Sequence, residues 1–307
     1  MILLANYEGR SGTDYASELL NIGEDGLRSI IEGIKIVEKN HDIHTVGISS
    51  WPNILGELQL DASVMDGNTR RTGAIGAIRG FLHPVEIAYQ VLTKLDHEIL
   101  VGEGAERFAN EINAIKAKNE TQLSLNAWHI HLDKVLNLQQ KQEFPNIRLL
   151  DINNTAIDPE KMFDTTVYLS IDKQNKISSA TSTSGWAWKY PGRLGDSPII
   201  GAGSYADSRY GACACTHTGE MTIRAGTARS VVLYLKMGLT IEDAVYEAAK
   251  DLAELETGYL AEVTIHALDK KGNYKVVGLN SSEEIKYVVW TPELTNPQIK
   301  NAEIINI

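Results

Sequence analysis

The sequence predicts an α+β protein in which antiparallel sheets are covered by helices, and three observations carry that expectation. Strand-like runs cluster at both ends of the chain and again in its middle. Helical patterns fall in pairs between these clusters. Regular βαβ repeats would instead alternate one strand with one helix, and no such alternation is present.

Taken in order, Ile2 to Asn6 (ILLAN) reads as a strand, and Leu27, Ile30, Ile31, Ile34 and Val37 fall at helical spacing. Leu58, Leu60, Ala62 and Val64 alternate, Asp66-Gly67 supplies a turn, and Ala74 to Ile78 continues in small and apolar residues, which together predict a hairpin. Pro84 opens a helix from Val85 to Leu95. The run EILVG then leads to a helix from Glu103, and a polar helical region follows from Thr121 to Gln140. Lys141 to Phe163 loses periodicity, carries Pro145 and Pro159, and reads as a mobile connection. Strands are expected over Thr165 to Ile171 and Lys176 to Thr183, with Asp172 to Asn175 as the turn between them. A loop punctuated by Gly and Pro runs from Gly185 to Asp207, and a strand covers Tyr210 to Thr216. Helices are expected from Ala225 to Met237 and from Thr240 to Leu255, the second opened by the capping-box spacing of Thr240 and Asp243. The chain ends in three alternating runs, AEVTIHALD, YKVVGL and IKYVVW.

Composition narrows the function. Of 307 residues, 43% are hydrophobic and 22% charged, which suits a soluble globular chain with a sizeable core. Length alone suggests about two domains, but a single sandwich or barrel of this size is common. Lys plus Arg number 29 against 40 acidic residues, a net charge of -11, so nucleic acid is not an expected partner. The start MILLANYEGR lacks the basic region of a secretory signal, and no apolar run approaches the ~20 residues of a membrane span. A cytoplasmic protein with no membrane association is expected. Cys213 and Cys215 would point to one face of a strand as small buried hydrophobes, too few for a disulfide framework or a zinc site.

Several tempting features read as structure. His129, His131 and Asp133 lie in a helical pattern where side chains two apart diverge by about 200°, so they are expected on a solvated face and no metal is assigned. Gly201-Ala202-Gly203 and Gly73 to Gly76 complete no nucleotide-binding fingerprint and read as places of tight backbone approach. The glycosylation patterns at Asn119, Asn153 and Asn280 read as chance.

Chemistry concentrates between Asp164 and Gly219, where hydroxyls, a guanidinium and carboxylates recur at strand ends and loops. The segments are Asp164-Thr165-Thr166, Thr181 to Gly185, Pro191 to Pro198 and Thr216 to Glu220. A threonine opening a strand after an acidic connection suits one form of nucleophile activation: cutting the bond before Thr165 makes its own α-amine the base. An α-amine with a pKa of about 7.7–8.0 is roughly 10–15% neutral at pH 7, against about 0.04% for an unperturbed lysine.

Four segments also carry a resemblance that extends over nearly the whole chain. They are Val46-Gly47 through Trp51-Pro52-Asn53, the run LDASVMDG from Leu60, Gly102 to Ala105, and PGRLGDSPIIGAG from Pro191 to Gly203. Through them the sequence resembles the glycosylasparaginase branch of the N-terminal nucleophile hydrolases, whose close relatives are plant-type asparaginases and isoaspartyl peptidases. Pro52-Asn53 leans toward the glycosylasparaginase side.

The resemblance implies a single domain over residues 1–307, folded as a four-layer αββα sandwich and made as a precursor that cuts itself between Asp164 and Thr165. The Thr165 hydroxyl would attack the Asp164 carbonyl, the acyl group would shift from nitrogen to oxygen, and water would open the ester, leaving chains 1–164 and 165–307. By the same resemblance Thr165 is the nucleophile and Thr183 orients its amine and hydroxyl. Arg193 would take the α-carboxylate of an asparagine-type substrate and Asp196 its α-ammonium. Thr216 would stabilise the oxyanion together with a backbone N–H just after it, from His217 or Gly219, a contact worth about 2.7–4 kcal/mol per donor in other enzymes. A small-molecule asparagine derivative is the expected substrate, N4-(β-N-acetylglucosaminyl)-L-asparagine foremost. No cofactor or metal is implied, and a dimer of cleaved pairs is.

Three positions depart from the family pattern. His217 replaces a glycine and is strained if φ there is positive. Phe163 replaces a small or polar residue before the junction, and Tyr7 stands near the place of a substrate-facing tryptophan. Two rival readings remain: an L-asparaginase or β-aspartyl peptidase with the same nucleophile, and an uncleaved member that only binds amino acids.

Overall fold

The computed structural model describes residues 1–152 and 165–306. Two sheets organise it. The larger has eight strands in the order β12-β11-β1-β5-β6-β2-β3-β4 and the smaller has five in the order β13-β10-β9-β8-β7. In the larger sheet the strands are β1 (Ile2–Asn6), β2 (Leu60–Asp66), β3 (Thr72–Ile78), β4 (Ile99–Val101), β5 (Thr166–Ile171), β6 (Ile177–Thr183), β11 (Lys286–Trp290) and β12 (Gln298–Asn301). The smaller holds β7 (Ser204–Asp207), β8 (Gly211–His217), β9 (Val263–Asp269), β10 (Tyr274–Leu279) and β13 (Glu303–Ile305). Pairing is antiparallel except between β3 and β4 and between β10 and β13, so the chain is a mixed helix-and-sheet protein.

Alternation along each strand decides what it faces. In β5, Val167, Leu169 and Ile171 join an apolar layer shared with Ala212, Ala214 and Leu268 of the smaller sheet. Tyr168, between them, points the opposite way into a core shared with the helices. Cys213 and Cys215 point away from the other sheet, into a core with Val231 and Val245. Both are fully buried free thiols, as their spacing on a strand predicts.

The larger sheet is covered by α1 (Arg10–Ile22), α2 (Gly26–Glu38), α3 (Pro84–Lys94) and α4 (Gly102–Glu111), the last being the helix expected from Glu103. The predicted stripe of α2 is buried in full, at about 1.5–3 kcal/mol per large side chain. Helix α1 was not legible as a helix because its buried face is Gly12, Thr13, Ala16, Ser17 and Leu20, mostly small residues. Those small residues let α1 and α2 touch: a Cβ on Gly12 would lie 2.0 Å from the Gly33 carbonyl oxygen. The smaller sheet is covered by α8 (Thr227–Met237) and α9 (Ile241–Ala253), preceded by α7 (Gly219–Ala225). The helix expected from Ala225 begins instead at Thr227, because Gly226, whose φ of 61° no ordinary helix residue adopts, separates it from α7, a helix the sequence reading did not include. Thr240 caps α9 by accepting from the Asp243 N–H, as its spacing predicts.

Further differences concern the middle of the chain. The helical region from Thr121 is divided into α5 (Gln122–Val135) and α6 (Leu138–Glu143), and a short 3-10 turn follows at Leu149–Asp151. The first part of the expected connection is therefore ordered, with Phe144, Ile147 and Leu149 packed beside Trp188 and Leu136. Phe163, Asp164 and Asn153 lie outside the described residues. His131 is not on a solvated face: it is buried, its ring stacked on Trp188 with centroids 5.0 Å apart, while His129 and Asp133 are exposed. Among the described residues no group of three or more His, Cys, Asp or Glu could hold a metal ion, and no helix is long and apolar enough to cross a membrane. The loop from Gly185 ends earlier than expected, because Ser204–Asp207 pairs with β8 as an edge strand.

Candidate active site

The same alternation assembles the site. Thr165 precedes β5 and has the parity of Val167, Thr183 ends β6 with the parity of Ile177, and Thr216 follows Ala214 by two in β8. All three belong to strand faces that look toward the other sheet. Thr166 pairs with Ser182, which sets Thr165 and Thr183 next in line on neighbouring strands. Asn6 closes the group from β1: its Nδ2 donates to the Thr165 carbonyl at 2.5 Å, and its Oδ1 accepts from the Val167 N–H at 3.0 Å.

Thr165 is buried, and its Oγ1 lies 3.3 Å from Ser197 Oγ. The Thr183 hydroxyl turns to its own strand end and accepts from the Gly185 N–H at 2.9 Å. Ser197 is itself held deep in the fold, its carbonyl accepting from Ser63 and Thr181. Neither Asn6 nor Ser197 was singled out from sequence. Ser197 follows Asp196 within the GDSP run, so a motif already quoted contained it, whereas Asn6 stands 159 residues from its partner and carried no local signal.

Arg193 and Asp196, three apart, do not form the surface ion pair that their spacing alone allows. Arg193 donates through Nε to Glu220 Oε1 at 3.0 Å and through Nη2 to both oxygens of the same carboxylate at 2.8 Å. Its guanidinium also lies over the Trp186 ring, 4.4 Å from the centroid. The remaining nitrogen, Nη1, faces Gly185 and Gly195, where a Cβ would come within 2.9 and 3.0 Å of it. Asp196 is only 4% exposed and accepts from Thr222 Oγ1 at 2.6 Å. Burial pushes its pKa up to about 6, against the pull of the Thr222 hydrogen bond and the Arg193 charge. Gly219 is where Asp196 needs no side chain: a Cβ there would lie 2.9 Å from the Asp196 nitrogen and 3.0 Å from Oδ1. A further charge lies beneath, the buried Lys189, which donates to the Gln59 carbonyl at 3.0 Å with Asp61 at 3.8 Å. Burial lowers its pKa.

His217 ends β8 with φ at 79°, the left-handed region expected of a family glycine. Its ring is mostly buried and held on both nitrogens. Nδ1 lies 3.0 Å from Thr216 Oγ1 and 3.2 Å from Thr264 Oγ1, and Nε2 lies 3.2 Å from Glu262 Oε1. Burial lowers its pKa, while the Glu262 and Glu8 carboxylates oppose that shift. A neutral ring that donates from Nε2 to Glu262 leaves Nδ1 as an acceptor for a threonine hydroxyl. Beside it opens a cavity of about 460 Å³, with Tyr7, Glu8, Tyr259 and Glu262 in its walls.

Buried hydroxyls beside a guanidinium and a carboxylate form a set that can hold a zwitterionic amino acid and attack an acyl carbon. Comparison with known proteins names the family. A profile described as Asparaginase matches residues 10–293. The chain belongs to the asparaginase family. It is 31% identical over 270 residues to an N(4)-(beta-N-acetylglucosaminyl)-L-asparaginase of Elizabethkingia miricola, across 84% of this chain and 72% of that one. It is 30% identical over 274 residues to an isoaspartyl peptidase of Salmonella typhimurium, across 89% and 83%. A plant-type L-asparaginase of Pyrococcus horikoshii is 32% identical over 258 residues, across 80% and 78%. Asparaginase-family membership makes the chain a hydrolase of amides. The three relatives stand at nearly equal identity, so similarity does not rank their substrates.

Proposed function

We propose that this asparaginase-family chain is an autoprocessing N-terminal threonine amidohydrolase that releases aspartate from the side-chain amide of N4-(β-N-acetylglucosaminyl)-L-asparagine. The observation that carries the reading is Thr165: it stands at the head of β5 between Asn6, Thr183 and Ser197, on the strand face turned toward Thr216. Cleavage between Asp164 and Thr165 frees an α-amine beside the hydroxyl it serves. The layering of helices, two sheets and helices is then the four-layer αββα sandwich of this class, one domain carried by chains 1–164 and 165–307.

In the cleaved enzyme Arg193 and Asp196 hold the α-carboxylate and α-ammonium, with Gly219 leaving Asp196 room. The Thr165 amine takes the hydroxyl proton as Oγ1 attacks the side-chain carbonyl carbon. The resulting oxyanion accepts hydrogen bonds from the Thr216 hydroxyl and from a backbone N–H of His217 or Gly219. The protonated amine returns its proton to the leaving nitrogen as the C–N bond breaks, which leaves an aspartyl ester on Thr165. Water, deprotonated by the same amine, opens that ester and releases aspartate. No step requires a metal or an organic cofactor. The released glycosylamine then loses ammonia in water. Two such cleaved pairs form the dimer.

The purified protein is expected to run as two fragments on a denaturing gel, with Thr165 as the first residue of the smaller. Thr165→Val is expected to remain one chain and to lose amide hydrolysis by at least about a thousandfold. Two fragments persisting in that variant would refute the reading. Intact asparagine, the glycosylated amino acid and a β-aspartyl dipeptide compared by kcat/KM test the substrate, and preference for the dipeptide overturns the choice made here.

A further inference from the structure

The cavity beside His217 carries a charge that the amino-acid end of the substrate does not need. Tyr7 in its wall follows Asn6, which holds the Thr165 carbonyl, and His217 follows Thr216. The cavity therefore opens at the end of the strands where the hydroxyls converge. Among the described residues its lining holds four carboxylates, Glu8, Glu262, Glu283 and Glu284, and one ammonium, that of Lys286. That ammonium lies 3.5 Å from Glu284 and is partly neutralised by it. Burial lowers the pKa of His217, which favours its uncharged form. The remaining lining includes the Ser281 and Ser282 hydroxyls and the Tyr7 and Tyr259 rings, which suit an uncharged hydroxylated group as well as a cation.

We infer that this cavity receives the amine part of the substrate and selects it by charge, favouring cationic and neutral amines and rejecting those that carry a carboxylate. The inference rests on the reading of Thr165 as nucleophile and deepens it by naming the substrate class. A β-aspartyl dipeptide with a free C-terminal carboxylate brings a negative charge toward four glutamates. A glycosylamine or ammonia brings none, and an amine with a second ammonium brings attraction. Because Glu283 and Glu284 are solvent-exposed, their share of the selection is screened by salt while that of Glu8 and Glu262 persists longer.

The test uses the cleaved enzyme and three β-amides of L-aspartate that differ only in the amine: glycine, glycinamide and the mono-amide of ethylenediamine. At about 10 mM salt, where the screening length is about 30 Å, kcat/KM is expected to rise in that order, by roughly tenfold or more from first to last. At about 1 M salt, where that length is about 3 Å, the spread is expected to narrow. Glu283→Lys combined with Glu284→Lys is expected to raise the ratio of the glycine to the ethylenediamine amide several-fold, and Glu283→Gln to raise it less. Equal or better turnover of the glycine amide at low salt, or a ranking indifferent to salt, overturns the charge selection while leaving the nucleophile in place. Failure of all three amides and of asparagine overturns the reading of Thr165 itself.

Discussion

Around Arg193 and Asp196 each charged group has a partner at hydrogen-bond distance: Arg193 donates to both oxygens of Glu220, and Asp196 accepts from the Thr222 hydroxyl. Beside His217, among the described residues, carboxylates outnumber ammonium groups in the walls of the cavity, and the space between them is open. The first region is close-packed, with glycines where a single Cβ would collide, and under the proposed reading it recognises by contact. The second, under the same reading, recognises by field. Contact gives a steep and local dependence on shape, whereas a field gives a shallow one that salt can erase. Changes at the clamp are therefore expected to cost far more than changes at the cavity.

The largest expected effect that sharpens this contrast is at Gly219. Gly219→Ala places a methyl 2.9 Å from the Asp196 nitrogen, and a displaced Asp196 is expected to lower kcat/KM about a hundredfold, read by steady-state kinetics. Loss of less than about threefold would show that the clamp is soft. Next is Arg193→Lys, which keeps the charge but loses the fork to Glu220 and the Trp186 stack. It is expected to raise KM roughly tenfold with a smaller change in kcat.

A smaller effect follows from the pKa of Asp196. In the proposed role its ionised form is the one that would hold an α-ammonium, so kcat/KM is expected to fall below about pH 6, tenfold per unit. Thr222→Val removes a hydrogen bond that favours the ionised form and is expected to move that limb to higher pH. Stability carries the opposite sign. A carboxyl whose folded pKa lies above its unfolded value of about 3.9 stabilises the fold while protonated. That contribution is complete below the unfolded value and is lost as pH rises through about 6. Thermal melts between pH 4 and 7 of the native protein and Asp196→Asn should differ in just that window. An activity limb well below pH 5 would remove Asp196 from the role.

The smallest effect is the difference between two changes at His217, on the cavity side. His217→Ala keeps a side chain at φ 79° and loses the ring's partners, and is expected to cost about 1–3 kcal/mol in chemical denaturation. His217→Gly loses the same ring but relieves the left-handed backbone, and is expected to lie closer to the native protein by about 1 kcal/mol. Equal costs for the two would show that the backbone there carries no strain.

Much of this was legible beforehand, and for local reasons. Strand β1, helix α2, the β2–β3 pair and the Thr240 cap follow from apolar spacing or one side-chain hydrogen bond, so a short window contains their cause. Helix α1 was hidden because its packed face is small rather than apolar, and His131 because burial against Trp188 depends on a loop far along the chain. At the site, Thr165, Thr183, Thr216, Arg193 and Asp196 stood out as hydroxyls and charges at strand ends and in one loop. Glu220, two residues beyond Thr218, was quoted within a motif, yet nothing nearby showed that it grips Arg193 across 27 residues.

The amino-acid sequence by itself determined the parity of each strand, and so which residues share a face. A period of two is written into every strand locally, and it placed Cys213 with Cys215 before any neighbour was known. Only the tertiary structure decided which faces meet. Asn6 reaches Thr165, Ser197 reaches the same hydroxyl, and Glu220 closes on Arg193, because sheet order and loop path bring distant segments into contact. Those pairings depend on how cores pack against one another, which no short stretch of sequence records.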